Sequence, residues 1–458
     1  LRDVYNRQSW ACRRARRRRA GCSADHAAAG VRVLLASVGS RGDIEPFVAL
    51  GAALQRAGHA TRLCASPRFA PMAAAHGLAM APMDDGFLAL LDTPEGRLVM
   101  EGGGGPGERL RAVWRLKARV APLQLQMQRD VAQAAASFAP ELVVFHFKLL
   151  GVPDVAAAHG ARSALLLPLP VVAPTAAMGN PVLPAIFGLP GLRRAGYRLM
   201  DGVSSRFGAG PVRAWRRETG LPPRPPGCGL ARAADDRDIL LLHAHSPSLV
   251  PRPDDWPAHA LVTGSLPLPV ADDAAPDPAL EAFLQAGPPP VYVGFGSMAG
   301  RDPVRLAHTV VEALQASGQR GLLATGWGGL APGRLPPTVQ VVGERPHATL
   351  FPRVKAVVHH GGAGTTHAGL RAGRPTLVCP FFADQPFWGR LVHARGLGPA
   401  PIPQRRLDAP GLAAALRVLV GDAAMAERAA ALGKAMRQED GATAAVEALE
   451  AWAAGTNP

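Results

Sequence analysis

Short apolar runs alternate along the chain with longer amphipathic ones. Residues 31–37, 61–65, 291–295, 321–325, 354–359 and 376–380 are short and almost wholly apolar, as in strands buried on both faces. Between them, apolar residues recur at helical spacing. Phe47, Leu50 and Leu54 mark a helix over 46–57 that Gly58 stops; residues 304–316 and 366–372 mark two more. The turns between strand and helix are Gly39 to Asp43, Gly296 to Gly300 and Gly361 to Thr365. Strands alternating with helices predict an α/β fold with parallel sheets covered on both faces. The second unit begins about 260 residues after the first, and the third follows it directly, which predicts two Rossmann-like domains. Their expected bounds are 31–221 and 237–440, with a Pro- and Gly-rich linker over 222–236. Ligands of open α/β sheets bind beyond the carboxyl ends of the strands, so the three turns mark one cleft.

Composition narrows the class. With 458 residues, 48% of them hydrophobic, the chain can bury two or three cores, which excludes wholesale disorder. The most apolar run, Ala164 to Ala173, is broken by Pro168 and Pro170, so no membrane span is predicted. The net charge of +15 is unevenly placed. Residues 1–30 hold eight arginines against Asp3 and Asp25, and residues 191–217 hold seven against Asp201. Residues 237–458 are nearly neutral, with 19 basic and 18 acidic side chains. Residues 1–30 lack the apolar core of a secretory signal and read as a disordered basic extension. No aromatic interleaving or nucleic-acid-binding fold follows it, so no nucleic-acid partner is expected. The five cysteines form no Cys-x-x-Cys pair; Cys64 and Cys379 read as buried, reduced thiols of a cytoplasmic protein.

The glycine turns differ in chemical content. Gly294-x-Gly296-x-x-Ala299 matches a dinucleotide fingerprint, but residues 316–326 hold no acid for a ribose, so hydride transfer is excluded. Gly102 to Gly105 has no following Gly-Lys-Ser/Thr and reads as a surface loop. Residues 359–366 (His-His-Gly-Gly-Ala-Gly-Thr-Thr) are more specific. Small residues leave backbone N–H groups open at a helix start, which together with the helix dipole suits a diphosphate. Thr365 and Thr366 can cap the helix and donate hydroxyls, and His360 can donate to a phosphate oxygen. A tight turn with a capped helix is the alternative. Asp384 beside Gln385 suits bidentate recognition of vicinal sugar hydroxyls, with a helix N-cap by Asp384 as the alternative.

Together these residues resemble the inverting, nucleotide-sugar-dependent glycosyltransferases of family 1, with the GT-B fold. They are most similar to sterol 3-beta-glucosyltransferases and bacterial antibiotic-aglycone glycosyltransferases. The resemblance runs from about Val31 to Trp452 and is strongest over Glu344 to Pro399. It implies two Rossmann-like domains facing each other across a cleft, the N-terminal one for the acceptor and the C-terminal one for the donor. Residues 441–458 would be the terminal helix that crosses back to the N-terminal domain.

By the same resemblance, donor-binding residues are Ser297, Trp327, His347, His360, Gly362, Ala363, Gly364, Thr365, Asp384 and Gln385. Asp43 stands in Gly42-Asp43-Ile-Glu-Pro46, where relatives place the general base, and capping the following helix is its alternative role. A carboxylate at the cleft edge can take the proton of an attacking hydroxyl. His146 and Pro170 are the acceptor-side candidates, His146 either lining the pocket or assisting the base. No cofactor is expected, a UDP-sugar serving as co-substrate, and no metal, since no Asp-x-Asp signature occurs.

The expected reaction moves a hexose, from UDP-glucose by first choice, to a hydroxyl of a lipophilic acceptor such as a sterol, terpenoid or polyketide. The alternatives are a rhamnosyl- or deoxysugar transferase using a dTDP-sugar, and a protein that binds nucleotide sugars without catalysis. In residues 191–217, Leu192, Gly196, Leu199 and Val203 recur at helical spacing among arginines, with Tyr197, Phe207 and Trp215. Such a segment suits peripheral contact with an anionic membrane surface.

Overall fold

The computed structural model describes residues 30–458 except 92, 94, 97, 99–105, 226–228, 230, 236, 270–276, 297–301, 326–329 and 332. The basic extension and the Gly102–Gly105 loop thus lie outside the described residues. Seven strands form the first sheet: β1 (Arg32–Ala36), β2 (Ala60–Ala65), β3 (Ala79–Pro82), β4 (Leu142–His146), β5 (Arg162–Leu167), β6 (Leu240–His243) and β7 (Ala260–Val262). Their order is β3-β2-β1-β4-β5-β6-β7. Five form the second: β8 (Val291–Gly294), β9 (Gly321–Ala324), β10 (Val339–Val342), β11 (Ala356–His359) and β12 (Thr376–Val378), in the order β10-β9-β8-β11-β12. All pairings are parallel.

The apolar runs are continuous because both faces of each sheet are covered. Along β1, Val33 and Leu35 enter one core cluster and Leu34 and Ala36 the other. In β8, Val291 and Val293 face one core and Tyr292 the opposite one. Cys64 and Cys379 are buried free thiols, their pKa pushed up to about 12 by burial. Among the described residues no single helix is long and apolar enough to cross a membrane.

The structure corrects the expected domain boundary. Residues 237–262 belong to the first sheet, because β6 pairs with β5 and β7 with β6. The Pro- and Gly-rich stretch at 222–236 therefore precedes two strands of the first sheet and does not separate the two domains. The chain passes to the second sheet after Val262. Turn composition marks where a chain bends; pairing between distant segments decides which sheet a strand joins.

A second correction concerns the first turn. The helix predicted over 46–57 spans Arg41–Arg56, so Asp43 lies inside its first turn. Pro46 lies one turn further in, where it has no N–H to donate to the Gly42 carbonyl, so the helix runs on through one missing backbone bond.

The terminal helix, Gly441–Ala454, does return to the N-terminal domain. Ala445, Leu449 and Trp452 join the core cluster of β1 and the Arg41–Arg56 helix. The Trp452 indole donates to the Ser163 carbonyl at 3.1 Å, and the Arg162 guanidinium sits 4.2 Å over its ring. Burying an indole with its N–H satisfied is a large contribution. Trp452→Ala should therefore cost about 3–5 kcal/mol, read as a lowered urea midpoint; an unchanged midpoint would refute this anchoring role.

Candidate active site

Both sheets bring their chemistry to the place where strand order reverses. In the first sheet that is between β1 and β4, and in the second between β8 and β11. Helices on either side of such a point leave by opposite faces and leave a crevice at the strands' carboxyl ends. Asp43 follows β1, His146 ends β4, Gly296 follows β8 and His360 follows β11.

Asp43 carries the most organised cluster. Its Oδ2 accepts from the Ser40 backbone N–H at 2.7 Å and the Ser40 hydroxyl at 3.1 Å. That is half of a capping box, so the capping role is real. The same oxygen stands 2.9 Å from Lys148 Nζ. Its partner Oδ1 faces His146 Nε2 at 3.3 Å.

The Lys148 backbone N–H points at His146 Nδ1, 3.5 Å away. With Nδ1 as acceptor, the neutral ring carries its proton on Nε2, toward Asp43. Burial holds His146 below its ordinary pKa, against the pull of Asp43. For Asp43, burial pushes upward, but Lys148 and His146 prevail and hold the carboxyl far below the carboxylate range. A cavity of about 10 Å³, room for about one water, lies beside the pair and is lined by Phe47, Leu166, Pro168 and Ala244 among others.

On the acceptor side, His146 is thus at the site. Pro170 is buried, its carbonyl accepting from the Tyr197 hydroxyl at 3.2 Å, and Pro168 lines the cavity in its place. Lys148 was missed. It is one of only four lysines and lies two residues beyond the end of β4, but no local pattern connects it to a carboxylate 105 positions away.

The glycine loop opens the Ala363–Arg371 helix. The first intrahelical bond runs from Thr366 N–H to the Gly362 carbonyl, so the N–H groups of Ala363, Gly364 and Thr365 have no intrahelical acceptor. Thr366 does not offer its hydroxyl outward, as expected from sequence; it donates back to the Gly362 carbonyl at 2.9 Å. Gly362, not a threonine, is the N-cap.

His360 lies between two glycines. A Cβ at Gly362 would come 2.6 Å from its Nε2, and one at Gly296 3.2 Å from its Cε1. Its buried Nδ1 has no hydrogen-bond partner, and burial lowers its pKa to about 4. It is a neutral imidazole with an unused polar atom. Its neighbour His359 instead accepts from the Gly361 N–H at 2.9 Å and belongs to the sheet end.

Asp384 and Gln385 separate in role. The Gln385 carboxamide oxygen accepts from the N–H groups of Phe381 and Phe382, at 2.7 and 3.2 Å, and braces the turn. Within that turn Ala383 holds φ +56°, a strained value outside glycine. Asp384 Oδ2 accepts from the Trp388 indole at 2.9 Å. Burial raises its carboxyl to about 6, with a further push from Asp43.

His347 stacks on Phe351 at 4.3 Å. Its pKa is lowered to about 4, first by burial and then by Arg41 and His360. Beside it Glu344 pairs with Arg41 from the opposite domain. Ser297 and Trp327 lie outside the described residues.

Further contacts join the domains. His367, on the glycine-loop helix, donates from Nδ1 to the Ala363 carbonyl at 2.7 Å and accepts at Nε2 from the Ser246 N–H at 3.1 Å. Leu169 and Leu249 pack with Leu370, Val378 and Trp388.

Known proteins are similar to this chain in sequence and fold. The "Glycosyltransferase family 28 N-terminal domain" matches residues 33–165, and the "Erythromycin biosynthesis protein CIII-like, C-terminal domain" matches residues 329–452. Glycosyltransferase GtfE of Amycolatopsis orientalis is 33% identical over 92% of this chain and 97% of its own length. The chain belongs to this family of glycosyltransferases. A sterol 3-beta-glucosyltransferase of Arabidopsis thaliana is 34% identical over 92% of the chain, which spans 65% of that enzyme's length. The chain spans only 30% of the Emericella nidulans sterol 3-beta-glucosyltransferase. Among solved structures, the kitacinnamycin glycotransferase superposes with TM-score 0.66 at 21% identity, covering 92% of this chain and 99% of that one. The Streptomyces sp. SF2575 glycosyltransferase SsfS6, solved with thymidine diphosphate, does so with TM-score 0.58 at 22% identity, over 92% and 99%. The expected GT-B fold is thereby established for this glycosyltransferase.

The Lys148 contact has a direct test. Removing the ammonium in Lys148→Met should raise the Asp43 pKa, since an opposite charge at 2.9 Å favours the carboxylate. A carbon-detected NMR titration of the Asp43 carboxyl should show its midpoint move to higher pH; no movement would exclude the charge coupling.

Proposed function

We propose that this glycosyltransferase moves a hexose, with UDP-glucose as first-choice donor, to a hydroxyl of a lipophilic acceptor such as a sterol, terpenoid or polyketide. The reading adds inversion at the anomeric carbon and independence from metal. One observation carries it: a half-buried carboxylate just after a strand of one sheet and an imidazole with an unpartnered Nδ1 beside a glycine-rich helix start on the other share one crevice. The influence of Asp43 and Lys148 on Asp384 supports their closeness across it.

The acceptor hydroxyl would bind at Asp43 Oδ1, the oxygen not taken by Ser40 and Lys148. Its oxygen attacks the anomeric carbon as the bond to the diphosphate breaks, and its proton passes to Oδ1. The negative charge leaving with the diphosphate meets the N–H groups of Ala363, Gly364 and Thr365 and the His360 ring. These donors and the helix dipole take the place of a cation. Asp384 accepts from a sugar hydroxyl. A single displacement inverts the centre.

One observation keeps a second reading in view. The Gln385 carboxamide oxygen is engaged by the turn, so fewer acceptor atoms remain for sugar hydroxyls. A deoxysugar or rhamnosyl donor carried on dTDP fits that reduced set. Peripheral contact with a membrane at its cytoplasmic face, through residues 191–217, belongs to the same proposal.

Asp43→Ala should lower sugar transfer at least about 100-fold while leaving donor binding in place; full transfer by this variant removes Asp43 from the base role. His360→Ala should raise the donor Kd about tenfold or more. A panel of UDP-, dTDP- and GDP-sugars against sterol and polyketide acceptors, read by mass spectrometry, decides the donor. Chelator should leave the rate unchanged, and product NMR should show the inverted anomer.

A further inference from the structure

We infer that a ridge formed by residues 186–207 docks on an anionic lipid surface, with the arginines further along the same helix at the level of the headgroups. This deepens the membrane contact proposed above and rests on it. Six of the eight large apolar side chains most exposed among the described residues fall in this one stretch. They are Ile186, Leu189, Leu192, Leu199, Val203 and Phe207, with 38–57% of their surface exposed. A cluster of this kind on one surface marks an interaction site.

The helix Arg193–Thr219 gives the ridge its direction. Leu199, Val203 and Phe207 are four residues apart and share one face. Continuing along that stripe, Gly210 is followed by Arg213 and Arg217. From Leu199 to Arg217 the rise is about 27 Å, apolar at one end and basic at the other. The opposite face is committed to the fold: Tyr197, Val212 and Trp215 are buried. Tyr197 and Trp215, which the sequence pattern offers as membrane aromatics, are therefore core residues, and Phe207 alone is exposed.

The arginines divide in the same way. Arg193 donates to the carbonyls of Gly188, Ala176 and Ala177, Arg194 pairs with Asp255, and Arg216 pairs with buried Asp154. Arg198, Arg206, Arg213 and Arg217 are exposed. Among the described residues none of these four has an ion-pair partner, and Glu218 is taken by Arg129. An apolar ridge rimmed by free guanidinium groups complements a surface that is apolar beneath and negative on top.

Charge also decides between occupants. Residues 1–30 carry eight arginines against two acids, and a second copy would present the same basic rim, so both are repelled. The ridge also adjoins the acceptor side: the segment from Pro168 to Leu192 joins β5 to this helix, and Tyr197 bonds to Pro170. A lipophilic acceptor held in a bilayer would meet the enzyme on this side.

Vesicle flotation tests the proposal on the full chain with Arg13, Arg14 and Arg16 to Arg19 all changed to Gln, so that the extension does not contribute. The protein should float with phosphatidylcholine vesicles containing about one third phosphatidylglycerol, and not with phosphatidylcholine alone. Binding should weaken as salt is raised. Leu199→Glu with Phe207→Glu, and separately Arg213→Glu with Arg217→Glu, should each reduce the bound fraction at least tenfold. Both should leave the circular dichroism spectrum and donor binding unchanged. Failure to float, or variants that float as well as their parent, overturns the inference, as does concentration-dependent dimerisation lost in the Leu199→Glu, Phe207→Glu variant. None of these readouts depends on sugar transfer, so the chemical proposal stands or falls separately.

Discussion

The cleft depends on a single buried imidazole that belongs to neither reacting partner. His367 can bridge the Ala363 carbonyl and the Ser246 N–H only while neutral, with its proton on Nδ1. Burial holds its pKa down, which keeps it in that state. Ser246 lies just beyond β6 of the first sheet and Ala363 opens the glycine-loop helix of the second, so the ring ties the carboxyl end of one sheet to the glycine-loop helix of the other. Its edge contact with Trp388, whose indole donates to Asp384, extends the linkage into the site. The apolar cluster around Leu169, Leu249 and Leu370 excludes water from this junction, which makes its hydrogen bonds costly to break.

Across the gap, Asp43 shows how a carboxylate can be both structural and chemical. Ser40 and Lys148 occupy one oxygen, which satisfies the cap and offsets the cost of burying the charge. The other oxygen faces only His146 and the small cavity. Lys148 keeps the group ionised at the expense of basicity. In the proposed reaction the proton-accepting step would therefore rely on position and on simultaneous bond breaking more than on a raised pKa. Asp384 has the opposite environment, little compensation and a raised pKa, so two carboxylates in one crevice are driven apart in character by their surroundings.

Much of this was legible in the residues. The strand at 31–37, the helix before Gly58, the units at 291–325 and 354–380 and the glycine box at 359–366 all appear where periodicity and turn chemistry place them. Each of these signals is local. The misreadings have a common cause in long-range pairing. The 222–236 stretch has the composition of a linker, but β6 and β7 beyond it complete the first sheet. Tyr197 and Trp215 have membrane-facing chemistry and lie on the inner face of their helix.

The sequence by itself determined the fold class, the two-unit plan and the residue types available for chemistry, because strand and helix periods and glycine turns are written within short windows. Only the tertiary structure decided which of those residues meet. Strand order puts β1 beside β4 and β8 beside β11, and that adjacency brings Asp43 to His146 and Lys148, and His360 between Gly296 and Gly362. The same packing selects which arginines and apolar residues of the 193–219 helix remain at the surface. Pairing order and helix orientation are fixed by the mutual burial of distant segments, for which no single window of sequence carries the information.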